Sequence, residues 1–207
     1  MRDAVDIDVT VKHRIGIDKI EHYDFVRDFV GLVSDAGCQT FIVHARNAIL
    51  KGLSPKENRE IPPLKYEMAY QLKRDFPQLE IIINGGIKTS AEVAAHLAHV
   101  DGVMLGREAY HNPYMMAGFD AQFYGDGAPI KSREEVLEAM IPYIQAQLAE
   151  HGGRGLKLNS VTRHMLGLMA GLPGARGFRQ AMSDPRKLAS GDPYLLLEAA
   201  ARMRQAA

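Results

Sequence analysis

The sequence is poor in cysteine and tryptophan: Cys38 is the only cysteine and there is no tryptophan. A single cysteine excludes an internal disulfide framework and is typical of a reducing cytoplasm. No apolar run approaches the roughly 20 residues needed to cross a bilayer. The first eight residues carry three acids and lack the apolar core of a secretory signal. These absences predict a cytoplasmic, soluble chain without membrane contact.

The formal net charge is zero, but basic and acidic residues are distributed unevenly along the chain. Residues 1–129 carry 14 Lys and Arg against 18 Asp and Glu, whereas residues 130–207 carry 11 against 7. Within residues 152–187, seven basic residues accompany one acid. A local basic excess of this kind is typical of phosphate or nucleic-acid binding, although a solvated helical surface can have the same composition.

Short apolar runs alternate with amphipathic segments over the first 125 residues. Four strands are predicted, at residues 9–11, 41–43, 81–83 and 103–105. Helices are predicted between them, at about 19–36, 64–76 and from residue 89 or 90 onward. In the first of these helices, Phe25, Phe29 and Leu32 share one apolar face. Strands that alternate with helices indicate a parallel sheet, because parallel neighbours need a crossover connection.

The pattern changes near residues 125–130, and no strand signal follows Ser132. Ser132 and Glu135 have the spacing of a helix capping box. Further helices are predicted at about 155–170, 174–182 and 192–206. The sequence therefore predicts a β/α domain over residues 1–125 and a small α-helical domain over residues 130–207.

Polar or glycine residues follow each of the four predicted strands. They are Lys12-His13-Arg14, His44-Ala45-Arg46, Asn84-Gly85-Gly86 and Gly106-Arg107. In parallel β/α folds the ligand binds at the carboxyl ends of the strands, so four such positions in succession predict one shared ligand.

The glycine turns indicate what that ligand carries. Glycine allows close approach of the backbone, and a following helix presents free N–H groups to an anion. Arg107 could add a bidentate contact to a phosphate, although tight turns also use glycine for geometry alone. Lys12 could hold an electron-rich ring edge, such as that of a reduced flavin, or form a salt bridge. His44 could hydrogen-bond a cofactor, transfer a proton, or be structural.

These motifs together resemble the tRNA-dihydrouridine synthases, specifically the A-type bacterial subfamily. The resemblance covers nearly the whole chain, and residues 52–63 are its most specific part. It implies the C-terminal half of a TIM-type (β/α)8 barrel, about four parallel βα units, followed by a small all-α domain. It also implies an oxidoreductase that reduces uridine 20 or 20a in the tRNA D loop to 5,6-dihydrouridine, with FMN as cofactor and NADPH as electron donor.

The resemblance also assigns site residues. Lys12 is expected to contact the isoalloxazine and His44 to line the flavin site. Residues expected to hold the ribityl phosphate are Asn84, Gly85, Gly86, Gly106 and Arg107. Residues expected to contact tRNA are Lys56, Arg59, Arg176 and Arg179, with Arg163 as a weaker candidate. No metal site is expected.

The chain departs from the family in its length. A full barrel needs eight strands and about 250 residues, and only four βα units fit before residue 125. The family's catalytic cysteine, the general acid, is expected in the missing N-terminal half, and Cys38 is assigned a structural role. We therefore expect a truncated form that lacks synthase activity by itself and that, because of its exposed half-barrel edges, self-associates, misfolds in part or needs the missing half. Two alternatives stay open: an FMN oxidoreductase acting on a small molecule, and a non-catalytic tRNA-binding fragment.

Overall fold

The structure is a computed structural model that describes residues 4–205. Contacts between Cα atoms divide the chain into two compact units, Met1–Gly106 and Arg107–Ala207. The sequence places a domain boundary later, near residues 125–130, and that functional division stays a prediction. None of the helices within residues 4–205 is both long enough and apolar enough to cross a membrane.

Four parallel strands form one sheet in the first unit. They are β1 (Val11–Ile17), β2 (Thr40–Ala48), β3 (Glu80–Asn84) and β4 (Gly102–Met104). Their order in the sheet, β1-β2-β3-β4, follows the chain, and each neighbouring pair is parallel. Each connection therefore crosses back over the sheet, as in a β/α barrel. This confirms the predicted α/β class with four βα units followed by helices.

Three helices in the first unit follow the first three strands. They are α1 (Tyr23–Asp35), α2 (Tyr66–Asp75) and α3 (Ser90–Leu97). Phe41, Val43 and Ile83 on the helix-covered face are fully buried. Successive strand residues point to opposite faces, so the residues between them occupy the other face. This second face, called the open face below, carries the polar side chains of the predicted site.

The buried side of α1 differs from the prediction. Val26 and Val30 are buried, whereas Phe29 and Leu32 are 38% and 72% exposed. The predicted residues and the buried residues both recur at helical spacing, so the sequence contains two overlapping apolar stripes. Which stripe is buried depends on how the helix packs on the sheet. The Phe29 ring instead packs beside His13, with ring centroids 5.1 Å apart.

The described part of the second unit is helical. Its α-helices are α4 (Arg107–His111), α5 (Phe119–Phe123), α6 (Arg133–His151), α7 (Leu158–Thr162), α8 (Ala175–Ala181), α9 (Pro185–Leu188) and α10 (Leu195–Gln205). Buried Leu137, Ile144 and Phe178 belong to one hydrophobic cluster that joins α6, α8 and α10. The predicted capping box is confirmed, because Ser132 Oγ accepts from the Glu135 N–H while the Glu135 carboxylate accepts from the Ser132 N–H.

The predicted helix at 155–170 is shorter than expected. Only α7 and a 3-10 turn at Arg163–Met165 form within this range. Gly167 packs against backbone, since a Cβ at this position would lie 2.5 Å from the His111 carbonyl oxygen. This close packing requires turns where sequence periodicity alone suggested a continuous helix. The last residue of the helix predicted at 192–206 lies outside the described residues.

Candidate functional site

The sequence suggested that Lys12 lies at the end of its strand, and this is wrong. Strand β1 begins at Val11 and continues to Ile17, so Lys12 lies near its start. Its side chain instead extends along the open face, where Lys12 Nζ donates to Asn84 Oδ1 at 3.0 Å. Asn84 Nδ2 in turn donates to the Met104 carbonyl oxygen at 2.7 Å. One amide thus connects a β1 side chain to β4. Lys12 and Asn84, which the sequence analysis assigned to one shared site, are in direct contact.

The turn after β3 requires glycine at two positions. Gly85 and Gly86 have φ angles of 126° and 71°, in a region that favours glycine. A Cβ on Gly85 would lie 2.9 Å from His44 Cδ2, and one on Gly86 would lie 2.7 Å from Leu64 Cδ1. The turn is therefore packed against His44, which the sequence had assigned to the same site. Its role in binding a phosphate stays a prediction.

His44 lies in a strongly cationic environment on the open face. Burial lowers the pKa of His44 to about 4, and nearby positive charges contribute to this shift. These charges belong to Arg14, Lys12, Arg46 and Arg59. Burial, together with the charge of Arg14, also lowers the pKa of Lys12. The His44 imidazole is therefore neutral at pH 7, and the positive charge of the site comes from lysine and arginine.

A pH dependence of stability follows from the His44 pKa. The unfolded chain protonates this histidine near pH 6.5, whereas the folded chain does so only near pH 4. The unfolded state therefore binds more protons between these values, so the free energy of unfolding falls as the pH drops from 6.5 to 4. We expect His44→Gln to reduce this fall, measured by urea unfolding at pH 7.0, 5.5 and 4.5. An equally steep fall in the variant would contradict the assignment.

Two arginine side chains hold the loop that follows β2. Arg14 Nη1 donates to the Asn47 carbonyl oxygen at 2.6 Å and to the Asn58 carbonyl oxygen at 2.8 Å. Arg46, which is 8% exposed, donates to the backbone carbonyls of Glu60 and Pro62. Charged donors make strong hydrogen bonds to buried carbonyls, so these contacts fix the loop against the strand ends.

Asn58 completes this bracing and was not identified from the sequence. Its Oδ1 accepts from the Ile49 N–H at 2.8 Å, and its Nδ2 donates to the Ile49 carbonyl at 2.5 Å. The predicted tRNA-contacting residues Lys56 and Arg59 flank it, and both are exposed. Arg59 belongs to the 3-10 turn Glu57–Arg59, where residues three apart project to the same side. Lys56 and Arg59 were assigned from their spacing and from the family resemblance, neither of which pointed to Asn58.

Gly106 lies in the short connection between β4 and α4. A Cβ at Gly106 would have no neighbour within 4 Å, and Arg107 is the first residue of α4.

Cys38 lies just before β2, where its Sγ contacts the carbonyl oxygens of Val9 and Thr40 at 3.6 and 3.4 Å. The cysteine is therefore at the opposite end of the strand from the glycine turns.

The predicted tRNA-contacting arginines of the second unit lie on one side of α8. Arg176 and Arg179 are exposed, whereas Ala175 and Phe178 face the hydrophobic core. Arg163 lies in the turn after α7, where its Nε donates to His164 Nε2 at 3.1 Å. These positions are compatible with phosphate contacts, which stay predictions.

A cavity of about 340 Å³ is lined only by residues of the second unit, so the predicted flavin residues on the strands do not form it. Its lining residues are Tyr114, Ser132, Arg133, Glu134, Met169, Leu172, Pro173, Ala200 and Met203. Across residues 4–205, there is no group of three His, Cys, Asp or Glu side chains suited to hold a metal ion.

Comparison with known proteins identifies the family. A family model described as dihydrouridine synthase matches residues 1–205. A relative from Pseudomonas syringae pv. tomato is 59% identical over 98% of this chain. Relatives from Pseudomonas putida and Pseudomonas aeruginosa are each 57% identical, over 99% and 97% of the chain. All three are named tRNA-dihydrouridine(20/20a) synthase.

The chain covers only part of these relatives. It spans 59%, 60% and 59% of their lengths, respectively. The match nevertheless extends over nearly all of the present sequence, including both compact units. The chain belongs to the dihydrouridine synthase family, in the subfamily whose members are named tRNA-dihydrouridine(20/20a) synthases.

Proposed function

We propose that this chain is the flavin- and RNA-binding portion of a tRNA-dihydrouridine synthase acting on uridine 20 or 20a in the cytoplasm. The observation that carries the proposal is the contact between Lys12 and Asn84 on the open face, directly before the Gly85-Gly86 turn. A cation beside a glycine turn at the end of a parallel sheet suits a ligand with an electron-rich ring and a phosphate. The names of the relatives support the same activity.

The residues present fit FMN. Gly85 and Gly86 have the positive φ angles of a tight turn whose backbone N–H groups no side chain of their own covers, and Lys12 supplies a positive charge for the ring edge. FMN, recharged by NADPH, would supply the two-electron redox chemistry of the reaction. Neutral His44 can hydrogen-bond the flavin without adding charge. Gly106 is proposed to complete the phosphate site.

The basic residues outside this site are proposed to hold tRNA. Lys56 and Arg59 project from the braced loop, and Arg176 and Arg179 project from α8. Such contacts with the RNA backbone would position the tRNA elbow, while the target uridine enters the flavin site. Cys38 lies at the wrong end of β2 to serve as general acid. We therefore propose that this chain binds without completing turnover by itself.

FMN binding to the purified chain tests the proposal. We expect quenching of flavin fluorescence on binding and about tenfold weaker binding for Lys12→Met, because the charge near the ring edge is lost. Lys51→Met, which removes an exposed lysine from the loop after β2, serves as control and should bind normally. If Lys12→Met and the unaltered chain bind FMN with equal affinity, Lys12 is not part of the flavin site.

A tRNA-binding chain without a flavin is the second candidate. The position of Cys38 favours it, because the chain offers no cysteine near the glycine turns. The two candidates predict different results when the purified chain is titrated with FMN. Retained tRNA binding together with no FMN binding would select the second candidate, and FMN binding would select the first.

A further inference from the structure

Tyr66 contacts the glycine turn from the helix layer, although the sequence gave no reason to single it out. It is the first residue of α2, and its hydroxyl donates to the Gly85 carbonyl oxygen at 2.7 Å. The same hydroxyl oxygen would lie 3.4 Å from a Cβ on Gly86, so it packs against both glycines. Tyr66 is therefore the side chain that holds the peptide bond between Gly85 and Gly86.

The orientation of this peptide bond determines what the turn offers a ligand. In a planar trans peptide, the C=O and N–H groups point in opposite directions. Because the Gly85 carbonyl points toward the Tyr66 hydroxyl, the Gly86 N–H points away from it. Both glycines have positive φ and could adopt other conformations at little cost, so the turn itself does not fix this orientation.

The Tyr66 ring is itself fixed by a cluster of aromatic side chains. It packs edge-on against His96, with ring centroids 4.5 Å apart, and His96 is only 6% exposed. The Tyr70 hydroxyl and His96 Nδ1 lie 2.7 Å apart, and Tyr70 stacks on His99 with centroids 4.4 Å apart. The hydroxyl that contacts Gly85 is thus placed by packing between α2 and α3.

We propose that Tyr66 is a positioning residue for the flavin phosphate, acting through the Gly85-Gly86 peptide. Its hydrogen bond keeps the Gly86 N–H directed at the anion before the ligand arrives, which lowers the ordering cost of binding. This inference rests on the proposed function, because it assumes that the anion at the turn is the phosphate of FMN.

Comparison of FMN with riboflavin tests the inference, because riboflavin has the same ring system but no phosphate. In the unaltered chain, FMN should bind more tightly than riboflavin. Tyr66→Phe removes only the hydroxyl and should weaken FMN binding about fivefold, with riboflavin binding unchanged. The measured quantity is the ratio of the two dissociation constants, which a general loss of packing would leave unaltered.

Tyr23→Phe is the matched control, since it also removes a tyrosine hydroxyl that makes a 2.7 Å hydrogen bond, here to Asp75 Oδ2, and does not contact the turn. It should preserve the FMN to riboflavin ratio. If the unaltered chain does not distinguish FMN from riboflavin, the proposed flavin site is wrong, and the inference is overturned with it. If the unaltered chain prefers FMN and Tyr66→Phe retains the whole preference, the inference alone is overturned.

Discussion

Replacing Arg176 and Arg179 together with alanine is expected to weaken tRNA binding by on the order of 30- to 100-fold at about 0.1 M salt. Both side chains are exposed on the same side of α8, and the helix is anchored on its other side by Phe178. Hydrogen bonds from arginine to phosphate are charge-assisted, and each contact also releases counterions from the RNA.

The salt dependence of binding separates this effect from a loss of structure. The slope of log K against log salt should become shallower by about 1.5, because two phosphate contacts are lost. Arg27→Ala combined with Arg74→Ala changes the net charge equally but alters helices α1 and α2. This control pair should retain the slope. Equal slopes for the unaltered chain and the Arg176 and Arg179 variant would remove α8 from the proposed RNA surface.

Gly16→Ala is expected to destabilise the first unit by about 3 kcal/mol, the largest stability change that we predict. Gly16 is buried in β1, and a Cβ there would lie 2.1 Å from the Ile20 carbonyl oxygen and 2.7 Å from Asn47 Oδ1. The Ile20 carbonyl accepts a hydrogen bond from the Ile17 N–H, so it cannot move aside without breaking that bond.

Urea unfolding followed by circular dichroism measures this change. Gly31→Ala is the matched control, because Gly31 lies inside α1 and a Cβ there would have no neighbour closer than 3.7 Å. Alanine favours the helix, so this control should stabilise the protein by about 0.5–1 kcal/mol. A Gly16→Ala variant as stable as the unaltered chain would show that the close approach at β1 is wrong.

The parallel pairing of the strands could be predicted from the sequence because it depends on local patterns, whereas their barrel-type order was implied only by the family resemblance. Short apolar runs separated by helical segments specify parallel pairing, and parallel strands bring His44 and Asn84 into register. The place of Lys12 within its strand could not be predicted, because the apolar run that precedes it does not mark where pairing with β2 begins. Its long side chain nevertheless reaches Asn84.

The contacts that support the site could not be predicted, because they join residues far apart in the sequence. Arg14 meets Asn58 across 44 positions, and Tyr66 meets Gly85 across 19. No periodicity encodes such pairs, since each depends on how a loop or helix packs on the finished sheet. The prediction of the buried face of α1 was wrong for the same reason. Val26 and Val30 are buried because of how the helix packs on the sheet, which the sequence of the helix alone does not determine.

The side chain of Asn84 sets the position of the Lys12 ammonium, while its backbone leads directly into the Gly85-Gly86 turn. A single residue therefore fixes the distance between two proposed contact points of the ligand, Lys12 for a ring and the glycine turn for an anion. Under the proposed assignment, a ligand is selected by the length that separates its ring from its phosphate as well as by its charge.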